Sequence, residues 1–356
     1  MDNNSVIHIV GARPQFIKLS PVLRALDAMG IASKVIHTGQ HYDYEMSSLM
    51  FEELGLKEPE YNLGVGSSTH GRQTAEMLSS IEAVLIKESP PIVLVYGDTN
   101  STLAGALASV KLGIPVAHVE AGLRSFERYM PEEINRVLTD HMSEHLFCPT
   151  QRAVKQLNME GLAGVFTGDV MLDAMKTFLD MSHPCPVEGT FVLVTIHRQE
   201  NTDNRDRLLG ILSGIRMLAR EVKVVFPVHP RTRRILETME YSVSEGLLMT
   251  RPVGYLDMLA MIRDAMCVVT DSGGVQKEAF MLRTPCVTVR NKTEWPETVE
   301  TGWNRLVGPD DVSIYSSVMG MKDTSPAEKN AMPFGDGKAS HYIAQYIEEH
   351  LEKHRI

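Results

Sequence analysis

The chain alternates short apolar runs with longer stretches whose apolar residues recur every three to four positions, and it does so in two rounds. In the first round Val6–Val10, Lys34–His37, Ile92–Tyr96, Val116–Val119 and Leu146–Cys148 read as strands. Between and after them lie helical stripes over Pro14–Met29, Tyr44–Leu54, Arg72–Lys87, Ser101–Leu112, Pro131–His145 and Gln151–Glu160. Phe16, Leu19, Leu23 and Leu26 share one face of the first helix, and Gly30 ends it. Strands that return through helices run parallel and are covered on both faces. The pattern predicts an α/β, doubly wound fold.

The alternation weakens at 181–189, where prolines and a glycine among polar residues predict a linker. It restarts with strands Phe191–Thr195, Lys223–Phe226, Leu247–Thr250, Val268–Thr270 and Cys286–Val289. Helices are expected over Asp206–Arg220, Thr232–Met239, Leu256–Arg263 and Val275–Leu282. A length of 356 residues suits two cores. The expected organisation is two Rossmann-like domains facing a cleft, 1–180 and 190–335. A tail, 336–356, carries a last helix, His341–Glu352, that crosses back to the first domain. Open α/β sheets bind ligands at the carboxyl ends of their strands, so residues just after strands are the candidates.

Bulk properties narrow the function. A net charge of −10 argues against a nucleic-acid binder, which needs a basic face. No long uncharged apolar run predicts a membrane span, and MDNNSVIHIV does not read as a secretion signal. Cys148, Cys185, Cys267 and Cys286 form no CxxC pair, which suits a reducing cytoplasm. Neither GxGxxG after a strand nor GxxxxGK[ST] occurs, so a dinucleotide cofactor or P-loop is not expected.

The strand ends carry the chemistry. Val268–Thr270 stops at Asp271-Ser272-Gly273-Gly274, a turn that aims the free amides of a new helix at a phosphate-sized anion. Arg13, after the first strand, offers a planar cation, either to an anion or to a neighbouring acid. Lys18 and the HPRTRR run at His229–Arg234 add further positive charge. Asp98 follows one strand as a helix cap or a charge aimed at the cleft. Glu120 follows the next; glutamate caps poorly and is rarely buried unpaired, so it is the stronger acid/base candidate. Glu132 and Glu133 open a helix, where acids also suit the dipole. His197 and His229 follow strands of the second domain. His141 and His145 stand four apart on an expected helix without an evident third ligand, so no metal is expected.

The blocks GARPQFIK, TGQHYDYEM, YGDTNSTLAGALAS, HVEAGLRSF with PEEINRVLTDH, TGDVMLDA, VTIHRQEN, FPVHPRTR, and TDSGGVQKEA with TEWPETVETGWNRLVG occur in order. Together they resemble the non-hydrolysing UDP-N-acetylglucosamine 2-epimerase family. The resemblance implies a GT-B-like fold and reversible interconversion of UDP-GlcNAc and UDP-ManNAc, by elimination of UDP to 2-acetamidoglucal and its re-addition. It implies a UDP-sugar partner, a homodimer, and neither cofactor nor metal. Position by position, Asp98, Glu120 and Glu132 match the catalytic carboxylates, and His197 matches a histidine near the diphosphate. Arg13, Ser272, Gly273 and Gly274 match diphosphate contacts, Glu278 the ribose-hydroxyl acceptor, and Lys18 a basic cleft residue.

Three blocks depart from the common pattern. Gly11-Ala12-Arg13-Pro14-Gln15 replaces GTRPE, Trp295 replaces the cation of a TERPE-like block, and Gln40-His41-Tyr42-Asp43 replaces a QHR-type block linked to activation by a second substrate molecule. The first two resemble a branch that includes epimerases of UDP-2,3-diacetamido-2,3-dideoxyglucuronate, which is the alternative substrate. A hydrolysing 2-epimerase and a GT-B glycosyltransferase are rival activities on the same architecture.

Overall fold

The computed structural model describes residues 5–39, 51, 53–180, 184–239, 241–321, 328 and 330–354. Two compact units emerge: Met1–Thr177 with Met332–Ile356, and Phe178–Ala331. The expected Tyr44–Leu54 helix, the Gln40–Asp43 block and the first part of the linker fall wholly or largely outside the described residues.

Among the described residues the first unit holds a seven-stranded parallel sheet, ordered β3-β2-β1-β4-β5-β6-β7. The strands are β1 Val6–Val10, β2 Ser33–His37, β3 Tyr61–Asn62, β4 Val93–Tyr96, β5 Val116–Val119, β6 His145–Cys148 and β7 Gly164–Phe166. On one face Ile7, Ile9, Val93 and Val95 pack with Met77, Ile81 and Leu85 of the helix His70–Glu88. Elsewhere in the unit the helix Arg13–Ala28 packs against Ala339–Lys353, the last helix.

The second unit holds a six-stranded parallel sheet, ordered β10-β9-β8-β11-β12-β13. Its strands are β8 Phe191–Thr195, β9 Lys223–Pro227, β10 Leu247–Thr250, β11 Cys267–Thr270, β12 Cys286–Val289 and β13 Asn304–Val307. Val192, Val194 and Val269 pack against Ile211 and Ile215 of the helix Arg205–Ala219 and against Ile314 and Val318 of Asp311–Met321. Phe191, Leu193 and Val268 pack on the other side with Met261 and Ile262. Among the described residues no helix is long and apolar enough to cross a membrane.

Sheet order locates the ligand crevices. In the first unit the chain winds outward from β1 in one direction and from β4 in the other; in the second, β8 and β11 play those parts. Such switch points leave a gap beyond the strand ends. Arg13 and Asp98 stand at the first, His197 and Ser272 at the second.

One expected helix ends early. The helix Pro131–Met142 stops at Ser143, which is extended (φ −88°, ψ 140°), and Glu144 N–H donates to the Val116 carbonyl at 2.9 Å. That bond to β5 draws His145 into β6, so His141 and His145 share no helix.

Candidate functional site

At the first switch point Gln15 does the joining. Its Oε1 accepts from the amides of Gly11 (2.8 Å) and Ala12 (2.9 Å), and its Nε2 donates to the Tyr96 carbonyl (2.7 Å) and Thr102 Oγ1 (3.0 Å). The side chain is buried and ties the end of β1 to the end of β4. A glutamate could accept from the amides but, ionised, could not donate to Tyr96.

Glu120 follows β5 in the left-handed region, at φ +77°. An L-residue there costs about 1–2 kcal/mol. The amides of Glu120 and Ala121 both donate to the Phe147 carbonyl, at 3.1 and 3.0 Å, which holds the turn. The carboxylate is buried and paired with Lys18, from the helix after β1. Gly97, at φ +62°, makes room: a Cβ there would lie 3.2 Å from Lys18 Nζ and 3.6 Å from Glu120 Oε2.

Beneath this pair lies a buried polar network. His118 Nε2 faces the Gly97 carbonyl and Nδ1 faces Asp140 Oδ1, both at 2.7 Å. Asp140 Oδ2 accepts from Gly122 N–H (3.1 Å) and Arg124 Nη1 (2.6 Å). Burial pushes the Asp140 carboxyl up, but His118 and Arg124 outweigh it and hold it below the usual range.

Asp98 Oδ2 accepts from Arg136 Nη2 at 2.5 Å, and the Asp98 carbonyl accepts from Asn135 at 2.9 Å. Arg136 also donates to Glu133 (3.1 Å), whose carboxylate accepts the amides of Ser125 (2.8 Å) and Phe126 (2.9 Å). Glu133 thus shapes a loop. Glu132, one residue earlier, is exposed and its side chain makes no hydrogen bond or ion pair among the described residues; neither does that of the half-buried Arg13.

The second unit is organised around Asp271, which is buried. Its carboxylate accepts from the amides of His197 (3.0 Å) and Arg198 (3.0 Å) and from Asn201 Nδ2 (3.0 Å). Desolvation lowers the His197 pKa; Asp271 works against that shift and Arg198 with it. The ring keeps an open edge, at 38% exposure, and lies 5.4 Å from that of His229. Ser272 caps the helix Gly273–Met281, accepting from Val275 N–H at 3.4 Å. Gly273 and Gly274 form its first turn, where amides have no acceptor within the helix. A Cβ on Gly273 would lie 3.6 Å from Arg198 Nη2 and 3.7 Å from Trp295 Nε1. Glu278 is buried on the same helix. The sequence has no cation at 295, but the structure brings Lys277 Nζ over the Trp295 ring, 3.9 Å from its centre. Of the HPRTRR run, Arg231 is committed to Asp203 (2.6 Å) and Arg233 to the Thr250 carbonyl (2.7 Å).

The chain as a whole is similar to known proteins. Residues 24–348 match the family described as UDP-N-acetylglucosamine 2-epimerase. The chain belongs to the UDP-N-acetylglucosamine 2-epimerase family. A UDP-N-acetylglucosamine 2-epimerase homolog of Methanococcus maripaludis is 48% identical, covering 96% of this chain and 99% of the relative. The UDP-2,3-diacetamido-2,3-dideoxy-D-glucuronate 2-epimerase of Pseudomonas aeruginosa is 45% identical, with 96% and 99% covered. The crystal structure of Methanocaldococcus jannaschii UDP-GlcNAc 2-epimerase in complex with UDP-GlcNAc and UDP is 44% identical, with a TM-score of 0.89 over 97% of this chain and 99% of that one. The epimerase-family fold is GT-B-like, two Rossmann-like units in one chain.

Within this family member the structure gathers Lys18 and Glu120 beside Gly97, with Asp98 next to them, and His197, Ser272, Gly273 and Gly274 around Asp271. Among the described residues the Glu132 side chain is joined to none of these groups by a hydrogen bond or ion pair. Sequence reasoning missed Gln15 as the clasp, Arg136 as the partner of Asp98, the His118–Asp140–Arg124 network, and Lys277 on Trp295. An acid directly after a strand and just ahead of a glycine pair was the available signal for Asp271; the others depend on contacts far apart in sequence.

Proposed function

We propose that this protein is a non-hydrolysing UDP-GlcNAc 2-epimerase. Glu120 carries the reading: a buried carboxylate at a strand end, in a left-handed backbone conformation, held against a lysine. Backbone strain of this kind concentrates at functional sites. Each unit offers what one part of a nucleotide sugar needs. In the first, Asp98, Glu120 and Glu132 are the proton-handling carboxylates, with Lys18 beside Glu120. In the second, the amides of Gly273 and Gly274 with Ser272 suit the diphosphate, and Glu278 suits the ribose hydroxyls. Arg13 and His197 complete the diphosphate contacts.

The reaction closes on itself. A carboxylate takes the proton from C2 while the C1–O bond to UDP breaks, leaving 2-acetamidoglucal with a C1–C2 double bond. UDP stays bound and re-forms the bond to C1 on the same face, and a proton returns to C2 from the opposite face. One proton leaves and one returns, so this route needs no cofactor. We read the enzyme as a cytoplasmic homodimer, in keeping with its reduced cysteines and the family resemblance.

UDP-2,3-diacetamido-2,3-dideoxyglucuronate is the second substrate reading, carried by the name of one relative. The test incubates UDP-GlcNAc with enzyme in deuterated water and follows C2 by NMR. Deuterium at C2 in both epimers, each still carrying UDP, is the expected result. Free sugar plus UDP points to a hydrolysing enzyme, and unlabelled UDP-GlcNAc overturns the reading.

A further inference from the structure

Drawn into β6, His145 gains a different set of neighbours. Its Nε2 lies 3.0 Å from Nδ1 of His350, on the last helix. Glu144 Oε1 lies 3.7 Å from His145 Nε2 and 3.9 Å from His350 Nδ1. We propose that Glu144, His145 and His350 form a zinc site that pins the last helix to the sheet of the first unit.

The distances suit the ion. Zinc bonds of about 2.0–2.1 Å in a tetrahedron place ligand atoms about 3.3 Å apart. The three edges bracket that value, so small side-chain rotations close the site. A hydrogen bond between imidazoles accounts for the 3.0 Å contact alone. It leaves unexplained a carboxylate oxygen nearly equidistant from both nitrogens. Two imidazoles and one carboxylate are a donor set zinc takes when water holds its fourth position.

Access and rigidity also fit. The Glu144 side chain is 54% exposed and that of His145 23%, which opens a path to solvent, whereas His350 is fixed by burial at 2%. Lys353 and His354 add positive character nearby, and Glu144 offsets it. His145 and His350 are 205 residues apart in the chain. An ion joining them binds only the folded state and stabilises it by mass action. The site is independent of the proposed reaction.

The experiment uses full-length protein stripped with chelator, titrated with zinc against a chromophoric competitor, and with cobalt for its visible spectrum. The expected result is one ion per chain, a cobalt spectrum of tetrahedral nitrogen and oxygen ligation, and a rise in Tm on zinc addition. Glu144→Gln and His145→Gln, at partly exposed positions, should each weaken zinc at least ~10-fold. UDP-GlcNAc epimerisation by either variant should match that of the unsubstituted protein. No uptake of zinc, uptake unchanged in both variants, or a cobalt–thiolate charge-transfer band would overturn the proposal.

Discussion

Lys18 and Glu120, 102 residues apart in sequence, meet as a buried ion pair between the helix after β1 and the turn after β5. The pair joins two elements that the sheet order places on either side of β4. It explains why an acidic residue is tolerated in a turn that favours glycine.

Glu120→Gln keeps the shape of the turn and removes the base. UDP affinity should hold within about twofold, while C2 proton exchange falls by about 10²–10⁴. Calorimetry with UDP and deuterium exchange by NMR check the two halves separately, and exchange at the unsubstituted rate would remove Glu120 from the mechanism.

Lys18→Met deletes the ammonium while filling its volume. Breaking one side of a buried pair costs about 3–5 kcal/mol. Urea unfolding should register a loss of that size, and Glu120→Gln, which takes away the charge facing the buried Lys18 ammonium, should show a comparable one.

Gly97→Ala tests the space around the pair. The alanine meets a positive φ and a Cβ 3.2 Å from Lys18 Nζ, so stability should drop by about 1–2 kcal/mol. Turnover should fall with it, and an unchanged kcat would show that the pair can shift without loss.

Arg13→Ala removes a cation that forms no ion pair within the described residues. UDP itself should bind about 1.5–3 kcal/mol more weakly, the range for a lost charged hydrogen bond, with little change in Tm. Equal UDP affinity in both proteins would dismiss Arg13 as a diphosphate contact.

His8 sets an acid limit on stability. It is fully buried in β1, its Nδ1 is 2.7 Å from the Tyr96 hydroxyl, and burial pulls its pKa down to about 3. Between about 3 and the ordinary value of 6.5 the unfolded chain binds a proton that the folded chain refuses. Its stabilising contribution is therefore complete above pH 6.5 and shrinks as pH falls, by up to about 1.4 kcal/mol per unit. Urea unfolding from pH 7 to 4 should show a shallower decline in His8→Gln than in the unsubstituted protein.

Much of the architecture was legible because it is written in local periodicity. β5 and β8 were read to the residue, as were β10 and β12. β3 has two residues and β7 three, too few for any alternation to register. The helix Asp311–Met321 was missed because its apolar residues form no single stripe. At the candidate site, chain position flagged Glu120 and the Ser272–Gly274 turn, since strand ends point at ligands. Gln15 looked like a departure from a motif, and its role appears only when Tyr96 and Thr102 are brought beside it. Arg136 likewise acquires meaning from Asp98, 38 residues away.

The first unit is made of two segments, Met1–Thr177 and Met332–Ile356, with all of the second between them. On the ribosome, the second unit is synthesised in full before the helix Ala339–Lys353 exists to cover Arg13–Ala28. Domains fold as units as they emerge. The nascent amino-terminal segment must therefore wait, one apolar flank uncovered, until the helix Ala339–Lys353 has been made. A stalled ribosome or a premature stop between residues 331 and 339 would strand it in that state.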